Sequence, residues 1–217
     1  MLKRYLRTLA WLSLAAAVFV LVPVGLLALR GMLSDEVVLA AICLWLAAAS
    51  LALLPLLARL YATIWFFPGT GEAIAEEQLR ARLLAINDRP GPVRAAAGRK
   101  DMVVTWNYRE AQWCELLSRQ GRNTIYELHL RFDGATRTVT LADRMRRAEF
   151  LFCPEGVKVG WPRIPLPLLR VRLAKAGSLE GFATVEAYEY AFHPREIKAP
   201  IMAAILAAGW NVRFSLF

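Results

Sequence analysis

The chain contains only a few side chains of the kinds that bind metal ions. Two cysteines and two histidines outside the apolar N-terminal region have donor atoms that suit zinc, but successive members lie 15, 24 and 40 residues apart. Zinc sites usually include at least one closely spaced pair of ligands. The sequence therefore predicts no metal site, and no cofactor, from the four residues Cys114, His129, Cys153 and His193.

Short catalytic motifs are missing from the sequence as well. There is no HExxH zinc-protease motif, no GxSxG nucleophile motif, no Walker loop and no dinucleotide-binding glycine fingerprint. The two strand-region residues Glu127 and Arg131 share an alternating face with His129, which is typical of a solvated face. An enzymatic or lipid-binding site would need polar residues that converge only after folding. The residues that could do so are Glu127, His129, Arg131, Glu186 and Glu189.

Basic residues exceed acidic ones. The chain has 27 Lys and Arg against 18 Asp and Glu, and residues 68–217 hold 22 of the basic and 16 of the acidic groups. The densest basic cluster after the N-terminus is Arg144, Arg146 and Arg147, which is predicted to follow a strand end. It could contact lipid phosphate or an acidic partner, or it could be a solvated loop. Nucleic acid is disfavoured, because the tryptophans that could stack on bases lie among apolar neighbours.

Two long apolar segments carry the clearest signal in the sequence. The chain is 57% hydrophobic with a mean hydropathy of +0.38, and residues 8–29 and 37–58 contain no charged side chain. As a helix, each segment would be about 33 Å long, against a hydrocarbon core of about 30 Å. The first segment is longer than the apolar part of a usual signal peptide. We therefore expect a transmembrane hairpin over residues 1–67.

The charges beside these segments predict their orientation. Lys3, Arg4, Arg7 and Arg59 lie on the side of the termini, whereas the connecting loop has only Arg30. Because basic residues favour the cytoplasmic side, both termini are expected in the cytoplasm and the protein in the inner (cytoplasmic) membrane. Aromatic and basic side chains near the segment ends are the expected membrane-interface residues. They are Lys3, Arg4, Arg7, Trp11, Arg59, Tyr61, Trp65, Phe66 and Phe67.

Residues 68–217 are predicted to form one cytoplasmic α+β domain. A first helix is expected from a cap at Thr70 to Asn87. A C-terminal apolar helix is expected from Pro200 to Ala208, either as a core helix under the sheet or lying on the lipid surface. Further strands are expected at residues 102–108, 149–153, 157–161, 182–192 and 211–217, and residues 110–119 could be a helix or a strand.

The best-defined strand pair lies between residues 124 and 141. Apolar and polar side chains alternate there, and Asp133-Gly134 is the expected two-residue turn, with positive φ at Gly134. This turn places Phe132 opposite Ala135. The predicted fold is thus a membrane-anchored α+β protein, with a two-helix hairpin followed by a largely antiparallel sheet packed on the C-terminal helix.

The cysteine content bears on the cellular compartment. Three cysteines at wide spacing are not the pattern of a small secreted protein held by disulfides, and a reducing compartment fits better.

The predicted hairpin with its alanine-rich second segment, the basic domain and the missing catalytic motifs together favour a non-catalytic accessory, assembly or interaction subunit of an inner-membrane complex. Its expected partners are membrane lipid and other membrane protein subunits or a second copy. One alternative is an enzyme or binding protein for a lipid or lipid-linked substrate at the cytoplasmic membrane surface. Another is a membrane-tethered nucleic-acid-binding protein.

Overall fold

The computed structural model describes residues 2–88, 90–98, 101–150, 157–163, 179, 182 and 190–215. The chain divides into two compact units, Met1–Trp65 and Phe66–Phe217. The sequence placed the boundary two residues later, after Phe67, because the aromatic run was assigned to the hairpin.

The first unit consists of two long helices, α1 (Leu2–Ala28) and α2 (Asp35–Ile64), which pack against each other. A single 3-10 turn, Leu29–Gly31, follows α1. In the loop, the Arg30 guanidinium donates to both carboxylate oxygens of Asp35 at 2.6 and 2.9 Å. Both helical segments are long and apolar enough to cross a membrane, with a mean hydropathy of 2.6 over their most apolar windows.

The second unit is a mixed β-sheet with helices. Its strands are β1 (Phe66–Phe67), β2 (Val93–Ala97), β3 (Asp101–Trp106), β4 (Thr124–Asp133), β5 (Thr138–Phe150), β6 (Val157–Arg163) and β7 (Asn211–Ser215). Its helices are α3 (Glu76–Leu84), α4 (Ala111–Arg119) and α5 (Pro194–Ala207). The strand order is β1-β7-β5-β4-β3-β2. Strand β5 is long enough to pair with β7 through its first half and with β6 through its second half.

Antiparallel pairing dominates this sheet, as predicted, but β5 and β7 are parallel. The stretch at residues 110–119, which the sequence left open, is helical as α4. The strands predicted at residues 102–108, 157–161 and 211–217 correspond to β3, β6 and β7. Of the strand predicted at 149–153, the first two residues belong to β5 and the others lie outside the described residues. Of the strand predicted at 182–192, the structure describes Phe182 and residues 190–192, and none of these is in a strand.

The β4–β5 hairpin is present, but its turn and register differ from the prediction. Four residues, 134–137, separate the strands, and Phe132 lies opposite Val139 rather than Ala135. The positive φ falls on Arg137, at 46°, and not on Gly134. The Asp133 carboxylate accepts hydrogen bonds from the backbone N–H groups of Ala135 and Thr136, which stabilises the longer loop. Because the register moved by an even number of residues, each side chain kept its predicted face.

Helix α5 is the core helix that the sequence predicted, but it begins earlier. Pro194 occupies the first turn, and Pro200 lies inside the helix. Ile197, Ile201 and Ile205 are completely buried, so the helix packs in the protein core and not on a lipid surface. After the helix end, Gly209 adopts a φ of 74°, and a Cβ at this position would clash with the backbone of Ala73.

The predicted helix cap at Thr70 is wrong. The Thr70 backbone N–H and hydroxyl both donate to the carbonyl of Leu206, at 2.9 and 3.2 Å, so this residue joins the segment to the end of α5. Helix α3 starts six residues later, at Glu76, and continues as a 3-10 turn to Asp88.

Cysteine pairing also differs from expectation. Cys114, on α4, is completely buried and disulfide-bonded, whereas Cys43, on α2, is a free thiol. Cys153 lies outside the described residues.

Candidate functional site

The sheet of the second unit has two chemically different faces. One face, here called the core face, carries buried apolar side chains such as Val104, Leu128, Leu130 and Leu141. Helix α5 packs on this side. Helix α3 does so too, since the guanidinium carbon of Arg80 lies 4.1 Å from the centre of the Phe132 ring. The opposite face, here called the polar face, includes Phe66, Arg94, Asp101, Glu127, His129, Arg131, Thr140, Arg144, Arg146 and Arg213.

Strand register aligns the polar-face residues in rows across the sheet. One row runs from Phe66 through Arg213, Thr140 and Arg131 to Asp101. Neighbouring strands are about 4.8 Å apart, so the Cα atoms of Arg213 and Arg131 are separated by about 10 Å. A second row contains Arg144, Glu127, Thr105 and Arg94.

Glu127, His129 and Arg146 form a compact polar cluster on this face. One carboxylate oxygen of Glu127 lies 3.0 Å from His129 Nε2 and accepts a hydrogen bond of 2.9 Å from Arg146 Nε. The Glu127 and His129 side chains are only 12% and 16% exposed. The prediction of a fully solvated face is therefore corrected at these two positions. Sequence alternation identified the face but not how far its neighbours cover it.

Electrostatics keep the Glu127 carboxylate ionised. Burial alone would raise the pKa of Glu127, but the hydrogen bonds from His129 and Arg146 outweigh it and lower the pKa below its ordinary value. An ionised carboxylate accepts hydrogen bonds and donates none. The cluster is therefore suited to hold Arg146 in place rather than to deliver a proton.

The predicted basic cluster is in a strand and not in a loop. Arg144, Arg146 and Arg147 all belong to β5, which is longer than the sequence indicated. Arg144 and Arg146 lie on the polar face, whereas Arg147 is opposite Thr124 and projects from the other side. Two of the three residues thus share a surface, and the third is separated from them by the sheet.

Among the described residues, four arginines of the polar face form no ion pair within 4 Å, although hydrogen bonds from Thr136 and, to a smaller extent, the charge of Arg213 lower the pKa of the Asp133 carboxyl. Unlike Arg146, which pairs with Glu127, these four are Arg94, Arg131, Arg144 and Arg213. Arg94 and Arg131 are exposed, and Arg144 and Arg213 are half-buried, so solvent reaches this face on each of the strands that carry them. Guanidinium groups in this state can donate to phosphate or carboxylate oxygens.

A second polar group, not anticipated from the sequence, lies on the core face. Lys198 Nζ on α5 is 2.6 Å from Asp143 Oδ2 on β5, and Tyr126 donates its hydroxyl to Asp143 Oδ1 at 2.6 Å. Lys198 Nζ also lies 4.2 Å from the centre of the Phe214 ring. Burial lowers the pKa of Lys198, although Asp143 opposes this shift. Asp143 and Lys198 are 55 residues apart, so no local pattern could reveal the pair.

The structure also places the expected membrane-interface residues. Lys3, Arg4, Arg7 and Trp11 lie on α1, Arg59 and Tyr61 lie on α2, and Trp65 follows α2. The Trp65 ring is buried and packs edge-on against Tyr5, with ring centres 5.0 Å apart. Phe66 and Phe67 form β1 instead. Phe67 is buried against Phe214 in the core of the second unit, which corrects its assignment to the membrane interface.

The polar residues considered for a lipid-linked substrate meet only in part. Glu127 and His129 are in contact, and Arg131 shares their face at the next position on β4. Glu186 and Glu189 lie outside the described residues. Within the residues that the structure describes, no group of three or more His, Cys, Asp or Glu side chains could hold a metal ion.

Comparisons with known proteins add no family assignment. No protein-family model matches the chain, and no similar curated protein or solved structure was found.

Proposed function

We propose that this protein is a non-catalytic accessory, assembly or interaction subunit of a complex in the inner membrane, where its helical hairpin tethers a basic domain. The observation that carries the proposal is the exposure of the hairpin's apolar surface. None of the most apolar window of α1 is buried inside the chain, and only 6% of that of α2 is. Leu44 and Leu51 are 73% and 80% exposed. Such a surface must be covered by lipid or by other helices.

The hairpin also has a place where another helix could dock. A groove of about 240 Å³ between α1 and α2 is lined almost entirely by apolar side chains. Ala15, Ala49 and Ala52 are among them, and small residues allow helix backbones to approach closely. The proposed occupant is a transmembrane helix of a partner subunit.

The proposed topology places both termini in the cytoplasm. Lys3, Arg4, Arg7 and Arg59 support it, since Arg30 is the single basic residue of the loop. The disulfide at Cys114 argues in the other direction, because such bonds persist mainly in oxidising compartments. Reporters placed in the loop between the helices and after Phe217 distinguish the two orientations.

Purification in mild detergent tests the proposed function. We expect the full-length protein to copurify with a stoichiometric membrane partner, and the double variant Ala49→Leu/Ala52→Leu, which fills the groove, to lose it. The matched control is Ala47→Leu/Ala48→Leu, which adds the same side chains to exposed positions of α2 outside the groove lining. A full-length protein that purifies alone, or a partner retained by the groove variant, would refute the proposal.

A further inference from the structure

We propose that the polar face of the sheet docks on anionic phospholipid headgroups. The inference rests on the proposed membrane tether and names the surface that the tethered domain engages. It is carried by the four arginines Arg94, Arg131, Arg144 and Arg213, which share one solvent-accessible face and form no ion pair among the described residues. Phosphate oxygens are the natural acceptors for such donors.

The chain connection favours a membrane surface over other anionic partners. Helix α2 ends at Ile64, and the sheet starts at Phe66, so no linker separates a membrane-length helix from β1. Phe66 lies on the polar face, directly beside Arg213. One arginine row therefore begins at Phe66, two residues after the end of the candidate span, close to where the headgroup layer of a bilayer would be.

The composition of the face also distinguishes a bilayer from a nucleic acid. Single-stranded nucleic acids are held by aromatic side chains that stack on successive bases. On β1 to β5 and β7, the aromatic side chains that register and alternation place on this face are Phe66 and Phe150, and they lie on two strands that do not pair with each other. A bilayer surface requires only distributed positive charge, which the two arginine rows supply.

The acidic groups of the face offset only part of this charge. The Glu127 carboxylate is already hydrogen-bonded to Arg146 and lies 3.0 Å from His129 Nε2. Asp133, at the hairpin turn, accepts hydrogen bonds from Thr136 and Ala135, which lower the pKa of its carboxyl, and the charge of Arg213 lowers it further. Asp101 is opposite Arg131 at the edge of one row, without an ion pair among the described residues.

Fluorescence quenching in nanodiscs tests the proposal. The full-length chain, with Cys43, Cys114 and Cys153 all replaced by serine, receives one dye at Thr140→Cys in the centre of the polar face or at Gln78→Cys on α3. The lipid carries a quencher on its headgroup. With phosphatidylglycerol present, quenching at residue 140 should be at least about twofold stronger than in pure phosphatidylcholine, and it should weaken as salt shortens the screening length from about 10 Å to about 3 Å.

Matched charge variants make the result specific. Arg131→Gln/Arg144→Gln should abolish the lipid-dependent quenching, whereas Arg82→Gln/Arg195→Gln, on the two helices of the other side, should leave it unchanged. Quenching that does not depend on phosphatidylglycerol, or that survives the first pair of substitutions, overturns the proposal. A dye at residue 140 whose fluorescence responds to a single-stranded oligonucleotide and not to lipid would also overturn the proposal. Because the nanodisc contains no other protein, this outcome is independent of whether a partner copurifies.

Discussion

Asp143 and Lys198 form an ion pair inside the apolar core between α5 and the sheet, where their side chains are 8% and 5% exposed. A buried pair of this kind often adds little net stability, but removing one member leaves an uncompensated charge and costs about 3–5 kcal/mol. Tyr126 and the Phe214 ring complete the surroundings of the pair. The pair therefore links α5 directly to β5 within the core.

The Lys198→Met substitution should destabilise the folded protein by about 3–5 kcal/mol, because Asp143 is then buried as a charged group. The double variant Asp143→Asn/Lys198→Met should lose less than the single variant, since no charge remains and the introduced amide oxygen can still accept the Tyr126 hydroxyl. Denaturant unfolding of the full-length protein in detergent measures both losses. Additive losses in the double variant would show that the two side chains are not coupled.

Glu127 should make the stability of the protein depend on acid pH. Its pKa is lower in the folded state than its ordinary value of 4.5, so the folded state binds the proton less tightly than the unfolded state does. The ionised carboxylate therefore stabilises the fold above about pH 4.5, and this contribution is lost as the pH falls through the lower, folded-state pKa.

The Glu127→Gln variant should consequently lose less stability than the parent protein between about pH 7 and about pH 3. Unfolding midpoints at several pH values provide the measurement. Glu77→Gln, at an exposed position of α3, is the control and should retain the pH dependence of the parent protein. Parallel curves for the parent and Glu127→Gln would contradict the proposed role of the carboxylate.

At the scale of secondary structure, the β4–β5 loop contains a strained residue. Arg137 has a φ of 46°, in the left-handed region, which is unfavourable for residues with a Cβ. Arg137→Gly should stabilise the protein by about 1 kcal/mol, whereas Arg137→Ala should be nearly neutral because alanine keeps the Cβ. Thermal unfolding compares the two variants. If the glycine variant is less stable than the parent protein, the Arg137 side chain stabilises the fold by more than the positive φ destabilises it.

The core position of helix α5 can be tested at Ile205. Ile205 is completely buried, so Ile205→Asp places a carboxylate in an apolar interior at a cost of several kcal/mol and should unfold the second unit. Ala207→Asp introduces the same group at an exposed position of the same helix and should be tolerated. Near-ultraviolet circular dichroism of both variants in detergent reports the packing, and a native spectrum for Ile205→Asp would contradict the core position of α5.

The sequence predicted the individual helices and strands better than it predicted their pairing and register. Strict alternation located β4, and an uncharged apolar run located the end of α5. The hairpin register was misjudged because the Asp133-Gly134 signal is local. The actual loop is fixed by a distant bond, in which the Asn211 backbone N–H donates to the Arg137 carbonyl at 2.8 Å. Strand β5 likewise extends through its arginines because β4 and β6 pair with it on either side, and local residue types do not reveal such pairing.

The whole chain consists of a hairpin of membrane length followed by a basic sheet domain. Two observations bear on the side of the membrane that the domain occupies: the basic residues near the termini, and the disulfide at Cys114. Thiol labelling after denaturation should find Cys114 reduced in protein isolated under alkylating conditions if the domain is cytoplasmic. An oxidised Cys114 would place the domain in an oxidising compartment.

Paired topology reporters test whether the two helices span the membrane and keep the sheet domain in the cytoplasm. A reporter that is active only in the cytoplasm is fused after Phe217, and one that is active only outside is inserted near Gly31, in the loop between the helices. If both termini are cytoplasmic, both reporters should be active. Activity of the opposite pair of reporters would invert the topology, and activity of the cytoplasmic reporter at both sites would show that the hairpin does not span the membrane.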